Sequence, residues 1–265
     1  MARFLQLSDL HLVPKGKLAS DVLDTGAILT SAIDRLIEKK GHLAPLDAVL
    51  VTGDISDDGS PESYALARTQ LERLGLPLFV VPGNHDSREP FREAFSNLSS
   101  MPKEGFIDWA ETVEDTRIIG LDTLVEGQGA GLLRQESLNF LAAELSRAMN
   151  SAVVVILHHP PLRTGIPFMD GIGLENPADL AQILEQTNAD VSVLAGHVHG
   201  VHHGRIGGYS VLTAPAVCSG FVLDRRTHAP IGFFSGPTGC AVLETGPQSK
   251  WSVVPLDPAE GPFPF

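Results

Sequence analysis

Cysteine is nearly missing from this chain: Cys218 and Cys240 are the only two in 265 residues. Two thiols are too few for a disulfide framework or a thiolate metal site. They are read as free thiols in a reducing compartment, with one Cys218–Cys240 bridge as the alternative. Long apolar runs are missing as well. The longest, such as Ala152–Leu157, fall far short of the roughly 20 residues that span a bilayer. The N-terminal apolar stretch is short and interrupted by Gln6, Ser8 and Asp9, unlike a secretory signal. A soluble, cytoplasmic protein with no membrane partner is expected. Basic charge is scarce, with 19 Lys and Arg against 32 Asp and Glu and a net charge of −13. That speaks against a nucleic-acid polymer, whose phosphates are gripped by clustered cations. It leaves room for a small anionic substrate, since bound metals reverse the local sign.

What is present is globular: 43% hydrophobic and 19% charged residues, without low-complexity tracts or internal repeats. Apolar runs alternate with amphipathic stretches. Strands are expected at Arg3–Leu7, Ala48–Thr52, Leu78–Val81, Thr116–Leu121, Val153–Leu157 and Val191–Ala195. Helices are expected at Asp21–Lys40, Glu62–Leu74, Arg88–Asn97, Arg134–Met149 and Pro177–Thr187. Such alternation indicates α/β layers with partly parallel sheets. No linker divides the chain, so residues 1–265 are expected to form one domain. Residues 209–265 would add strands at Tyr209–Thr213, Cys240–Glu244 and Trp251–Pro255, then an extended tail over Asp257–Phe265. A homo-oligomer stays open.

Five of the apolar runs deliver Asp, Asn or His just past their carboxyl ends. Phe4–Leu7 leads to Asp9 and His11, Val49–Thr52 to Gly53-Asp54, and Phe79–Pro82 to Gly83-Asn84-His85-Asp86. Val154–Leu157 leads to His158-His159, and Val191–Ala195 to Gly196-His197-Val198-His199. The carboxyl edge of an open α/β sheet is where ligands bind. Residues two apart at an extended strand end point the same way, so Asp9 with His11, and His197 with His199, are expected to converge. Each piece has a bland reading as a turn or a solvated strand end. Together they form a donor set of carboxylate, amide and imidazole without thiolate, which suits Mn, Fe, Co or Zn. There are too many donors for one ion. Two ions about 3.5–4 Å apart, bridged by a carboxylate, would use them all.

In order and spacing these blocks resemble the calcineurin-like metallophosphoesterase superfamily over roughly residues 1–200. Leu7–His11, Pro82–Asp86, His158–Pro161 and Ala195–His199 look most like its class III cyclic-nucleotide phosphodiesterase and glycerophosphodiesterase branch, as do Thr213–Ala216 and Cys218. The resemblance implies a four-layer α/β sandwich of two mixed β-sheets flanked by helices. It implies Asp9, His11 and His199 on one divalent ion, Asn84, His158 and His197 on a second, and Asp54 bridging them. Asn84, His85 and Asp54 would carry the catalysis, with His85 just outside the metals and Asp86 orienting it. The activity implied is hydrolysis of a small phosphodiester by a hydroxide formed between the ions. Two such ions, set against two aspartates and one hydroxide, leave the site near one positive charge, a match for a diester.

Other residues are weighed and mostly set aside. His159 is expected to be structural or to stand just behind the metal ligands, His202 and His203 to be solvated loop residues with a place on the pocket wall as the alternative, and His42 and His228 to lie on the surface. Thr123, past another strand end, is a candidate substrate contact. Phe221, Phe233 and Phe234 fit a pocket wall, a subunit interface or plain core. A phosphomonoesterase, a nuclease and a metal-binding scaffold are the rival readings, the acidic charge opposing the nuclease and the complete ligand set opposing the scaffold.

Overall fold

The computed structural model describes residues 1–149, 151–258 and 263. In chain order the elements are β1 (Arg3–Leu7), α1 (Thr25–Leu43), β2 (Ala48–Val51), α2 (Pro61–Glu72), β3 (Leu78–Val80) and α3 (Arg88–Ala94). Then come β4 (Trp109–Val113), β5 (Thr116–Gly120), α4 (Gln135–Arg147), β6 (Ala152–Ile156), α5 (Pro167–Asp170) and α6 (Pro177–Leu184). The last are β7 (Asp190–Ala195), β8 (His202–Ile206), β9 (Tyr209–Thr213), β10 (Gly239–Glu244) and β11 (Lys250–Pro255).

They build two mixed sheets. One has the order β11-β10-β1-β2-β3, the other β4-β5-β6-β7-β9-β8. In the first, β1, β2 and β3 run parallel, while β10 pairs antiparallel with β1 and β11 with β10. In the second, β5, β6, β7 and β9 are parallel, with β4 and β8 antiparallel at the edges. Strand β6 explains the layering. Val154 and Ile156 join the core that contains β1, β2 and the α1 residues Leu29 and Ile33. Val153, Val155 and Leu157 join a second core with Leu141 and Leu145 of α4 and Leu180 and Leu184 of α6. Alternate side chains of a strand face opposite ways, so this sheet has the other sheet on one face and helices on the other. The four-layer α/β sandwich with helices outside is what the structure has.

Polar ties join the sheets beneath their carboxyl ends. Gln6 of β1, fully buried, donates from Nε2 to the Ala195 carbonyl of β7 at 3.1 Å and accepts from Trp251 Nε1 at 3.1 Å. Trp109 of β4 donates from Nε1 to the Val80 carbonyl of β3 at 2.8 Å. The strand ends that precede Asp9 and His197 are thereby held together.

Several boundaries differ from expectation. Helix α1 begins at Thr25 because Asp24 caps it, accepting from the Ala27 amide at 2.9 Å, while Ser20 and Asp21 are left-handed. The segment after β7 returns as strand β8, so His202 and His203 sit on an edge strand rather than in a loop. Strand β4 and the short α5 were not anticipated. Cys218 and Cys240 are both free and buried, which removes the bridge. Most of the Asp257–Phe265 tail lies outside the described residues, although Asp257 itself accepts from the Thr238 amide at 2.9 Å. Among the described residues, no helix is long and apolar enough to cross a membrane.

Candidate metal centre

The carboxyl ends of β1, β2, β3, β6 and β7 meet at one place. The β1–β2 ladder is continued past the strands by Asp9 N to Gly53 O at 3.1 Å and His11 N to Asp54 O at 2.9 Å. Gly196 N likewise donates to His158 O at 3.0 Å. The seven residues expected at the metals are brought together here. His11 Nε2 lies 3.1 Å from His199 Nε2 and 3.5 Å from Asp54 Oδ2. Asp54 Oδ2 is also 3.2 Å from His158 Nε2, which is 3.1 Å from Asn84 Oδ1. His199 Nε2 is 3.5 Å from Asp9 Oδ1, and Asp9 accepts from the His197 amide at 3.0 Å. Asp54 thus stands between the His11–His199 side and the His158–Asn84 side.

The route to this convergence was not the expected one. Asp9, His11, Asp54, His197 and His199 all have positive φ, between 43° and 70°. Strand alternation does not bring the pairs together; left-handed turns do. A non-glycine residue held there costs about 1–3 kcal/mol. Five of the eight such residues among those described fall on this one cluster. Gly53, at φ +94°, serves a related purpose: a Cβ there would sit 2.4 Å from His158 Nδ1. The ring packs directly on backbone.

Each ring is held by the nitrogen that faces away from the cluster. His158 Nδ1 donates to Thr52 O at 2.8 Å, and His11 Nδ1 is 2.9 Å from Asp57 Oδ1. His199 Nδ1 is 2.8 Å from Ser219 Oγ, and His197 Nε2 donates to Ile172 O at 3.0 Å. Carbonyls and carboxylates only accept, so in a neutral His158 the proton is on Nδ1 and Nε2 is bare. That bare nitrogen faces two oxygens, Asn84 Oδ1 and Asp54 Oδ2. Electron pairs turned on one another demand a positive charge between them, and a divalent cation meets that demand. The residues fit a metal by this test and by donor chemistry.

Without an ion the same demand for positive charge falls on a proton. Burial alone would raise the Asp54 carboxyl, but the His158 ring prevails and holds it well below the usual carboxylate range. Burial pushes the His158 ring toward neutrality, yet the Asp54 and Asp9 carboxylates outweigh it and lift it to about 9. His197 and His199 are held neutral, well below their ordinary value, by burial and by neighbouring rings. Burial raises Asp9.

His85 lies at the rim. Its amide donates to Asp54 Oδ1 at 2.9 Å, and its Nδ1 is 3.2 Å from Asp57 Oδ1. Burial would lower it, but Asp57 and Asp54 raise it to about 9. The orienting partner is therefore Asp57 and not Asp86. Asp86 accepts three backbone amides, from Gly83 at 2.8 Å, Ser56 at 3.0 Å and Ile55 at 3.3 Å. It braces the two loops that carry Asp54 and Asn84. Asp57 escaped the sequence reading because it sits three residues past Asp54 in Asp54-Ile55-Ser56-Asp57-Asp58, where either aspartate reads as a turn residue.

At the cluster is a cavity of about 140 Å³, lined by His11, Asp54, Asn84, His85, His197 and His199. Phe168, Ile172, Phe221 and Phe233 add an apolar part to its wall, Phe221 standing 4.7 Å from the His199 ring. Phe221 and Phe233 are thus pocket residues, whereas Phe234 is largely exposed. Cys218 and Ser219 also line the cavity. Thr123 does not: it is fully buried, with its hydroxyl on His159 Nδ1 at 2.8 Å, so it is no substrate contact. His159 is buried and structural, and His42 and His228 are exposed.

The chain is similar to known proteins throughout. Residues 2–201 match the family model described as calcineurin-like phosphoesterase. It is 33% identical over 270 residues to a protein of Arcobacter nitrofigilis named "Probable glycerophosphodiester phosphodiesterase GpdQ", covering 98% of this chain and 96% of that one. It is 32% identical over 228 residues to the 3′,5′-cyclic adenosine monophosphate phosphodiesterase CpdA of Pseudomonas aeruginosa, covering 83% and 80%. Among solved structures, a dimetal phosphatase from Danio rerio superposes with a TM-score of 0.68 at 13% identity, over 96% of this chain and 98% of that one. That last likeness concerns the fold alone. By its family match and its relatives, this chain belongs to the calcineurin-like phosphoesterase family.

Proposed function

We propose that the chain hydrolyses a small phosphodiester, a cyclic nucleotide or a glycerophosphodiester, at a centre holding two divalent ions of manganese, iron, zinc or cobalt. One observation carries this reading: ring nitrogens, carboxylate oxygens and the Asn84 amide oxygen crowd on one another across 3.1–3.5 Å, around Asp54. The names of the two relatives support a diester substrate. In this reading Asp9, His11 and His199 would hold one ion, Asn84, His158 and His197 the other, and both would share Asp54.

The chemistry such ions would supply when bound is a nucleophilic hydroxide near neutral pH and Lewis acidity toward the phosphoryl oxygens. The protein's own part is positioning and proton supply. Asn84, on the His158 side of Asp54, steadies charge on the phosphoryl group. His85, at the rim and polarised by Asp57, holds a proton on the cavity side for the departing alkoxide. The apolar wall from Phe168 to Phe233 limits water on the side where the ester alcohol rests and strengthens each of these interactions.

The experiment is a turnover panel on manganese-loaded protein: a 3′,5′-cyclic nucleotide, glycerophosphocholine, bis(p-nitrophenyl) phosphate and p-nitrophenyl phosphate. Chelator-treated protein and Asn84→Ala serve as controls. Diester turnover that requires metal and Asn84 is expected. Faster turnover of the monoester would make this a phosphomonoesterase, and no turnover of any ester by metal-loaded protein would leave a metal-binding scaffold.

A further inference from the structure

His158, His159 and His197 each offer a ring nitrogen within 4.8 Å of the other two. Proximity alone makes them look like a three-histidine site, but the hydrogen bonds of His159 exclude it from ligation. Its Nε2 is 3.1 Å from the Gly129 carbonyl, which can only accept, so the proton is on Nε2. Its Nδ1, then bare, accepts from the Thr123 hydroxyl at 2.8 Å. No lone pair is left for an ion.

His197 is locked in the same manner, its Nε2 donating to the Ile172 carbonyl at 3.0 Å and its Nδ1 left free. The two carbonyls belong to loops that are stitched to each other. Gly131 N donates to Gly173 O at 3.1 Å and Glu175 N to Gly131 O at 2.8 Å. Leu132 N donates to the carbonyl of Thr123 itself at 3.0 Å. Between these loops the His159 ring lies 4.5 Å from the His197 ring and 4.9 Å, edge-on, from the His158 ring. A Cβ on Gly131 would come within 2.3 Å of His159 Nδ1, so the ring has backbone behind it and two histidines in front.

We infer that Thr123 and His159 are positioning residues for the ion held by His158 and His197: Thr123 fixes the tilt of His159, whose tautomer the Gly129 carbonyl sets, and His159 sets the ring planes of its two neighbours. This rests on the two-ion reading given above. Partners that orient ligating histidines commonly govern metal affinity by about 10–100-fold. The effect should fall on one ion only, because the His11–His199 side is held separately, through Asp57 and Ser219.

The test compares wild type with Thr123→Val, which keeps the volume but removes the hydroxyl, and Thr123→Ser, which restores it. Manganese(II) binding is followed by equilibrium dialysis with elemental analysis, and by electron paramagnetic resonance, which separates a coupled pair from a lone ion. Wild type and Thr123→Ser should bind two ions. Thr123→Val should keep the first, bind the second about 10–100-fold more weakly, and show the lone-ion spectrum at limiting manganese. If Thr123→Val fails to fold, His159→Phe, which keeps an aromatic ring in place, is read by the same two measurements. Undiminished binding of two ions by the variant overturns the inference, and so does an equal weakening of both ions. A wild type that binds fewer than two ions overturns the two-ion reading first, and that result is distinct from either.

Discussion

Asp57 Oδ1 lies 3.2 Å from Nδ1 of His85. The same oxygen is 2.9 Å from Nδ1 of His11. One carboxylate therefore orients both the proposed proton donor and one proposed metal ligand. Asp57→Asn should reduce turnover by about 10²–10⁴-fold on a diester with an alkoxide leaving group, as loss of general-acid help does. The loss should be much smaller for p-nitrophenolate, which leaves without a proton. His85→Ala should repeat the pattern. Equal losses on both esters would reduce His85 to an electrostatic role.

Metal removal should destabilise the chain, because the donors that face one another lose the charge between them. With manganese at about 100 times the Kd of each site, binding to the folded state alone adds about 2.7 kcal/mol per ion. For a chain of this size each ion then raises the Tm by about 5–10 °C over that of chelator-treated protein. In Asp54→Asn the gap should nearly close. Differential scanning calorimetry with and without chelator measures both.

Gly53→Ala should damage stability and metal binding together. The φ of +94° disfavours any side chain, and the added Cβ would meet His158 Nδ1 at 2.4 Å. A loss of about 2 kcal/mol or more is expected from the urea midpoint at unchanged m-value. Elemental analysis should find fewer than two ions. A variant as stable and as metal-replete as wild type would contradict the packing described here.

Asp108 provides a pH test away from the metals. Burial raises its carboxyl to about 6, although Ser137 and the Asp122 amide, donating at 2.6 and 2.8 Å, oppose the rise. A carboxyl that binds its proton more tightly when folded adds stability at low pH. The contribution is complete below its unfolded value near 4 and is lost as pH rises through 6. Wild type should therefore lose about 2 kcal/mol relative to Asp108→Asn between pH 4 and pH 7. Denaturant unfolding of both proteins across that range isolates this group, since shared titrations cancel in the difference.

The strands that carry the site were legible because buried parallel strands are near-continuous apolar runs, as at Ala48–Val51 and Val153–Leu157. Strand β8 was also within reach. Ile206-Gly207-Gly208-Tyr209 is a two-residue hairpin signal, and both glycines take positive φ as such a turn demands. The polar His202-His203 hid it, since an edge strand need bury little. Asp57 and Asp86 were exchangeable on paper. Both flank ligand motifs, and only the distances reveal that Asp86 binds backbone while Asp57 binds two rings.

What this sequence determined by itself was the kind of chemistry and its address: which donors exist, and that they follow apolar strands into one edge. Local patterns encode those things, because strand, turn and donor type depend on neighbours within a few residues. Tertiary structure alone decided how the donors meet, through five left-handed residues instead of extended strand ends. It also decided which polar neighbour holds which ring, pairing Asp57 with His85 and Thr123 with His159. Such pairings join residues tens of positions apart, and their selection depends on differences of an ångström that no local pattern records.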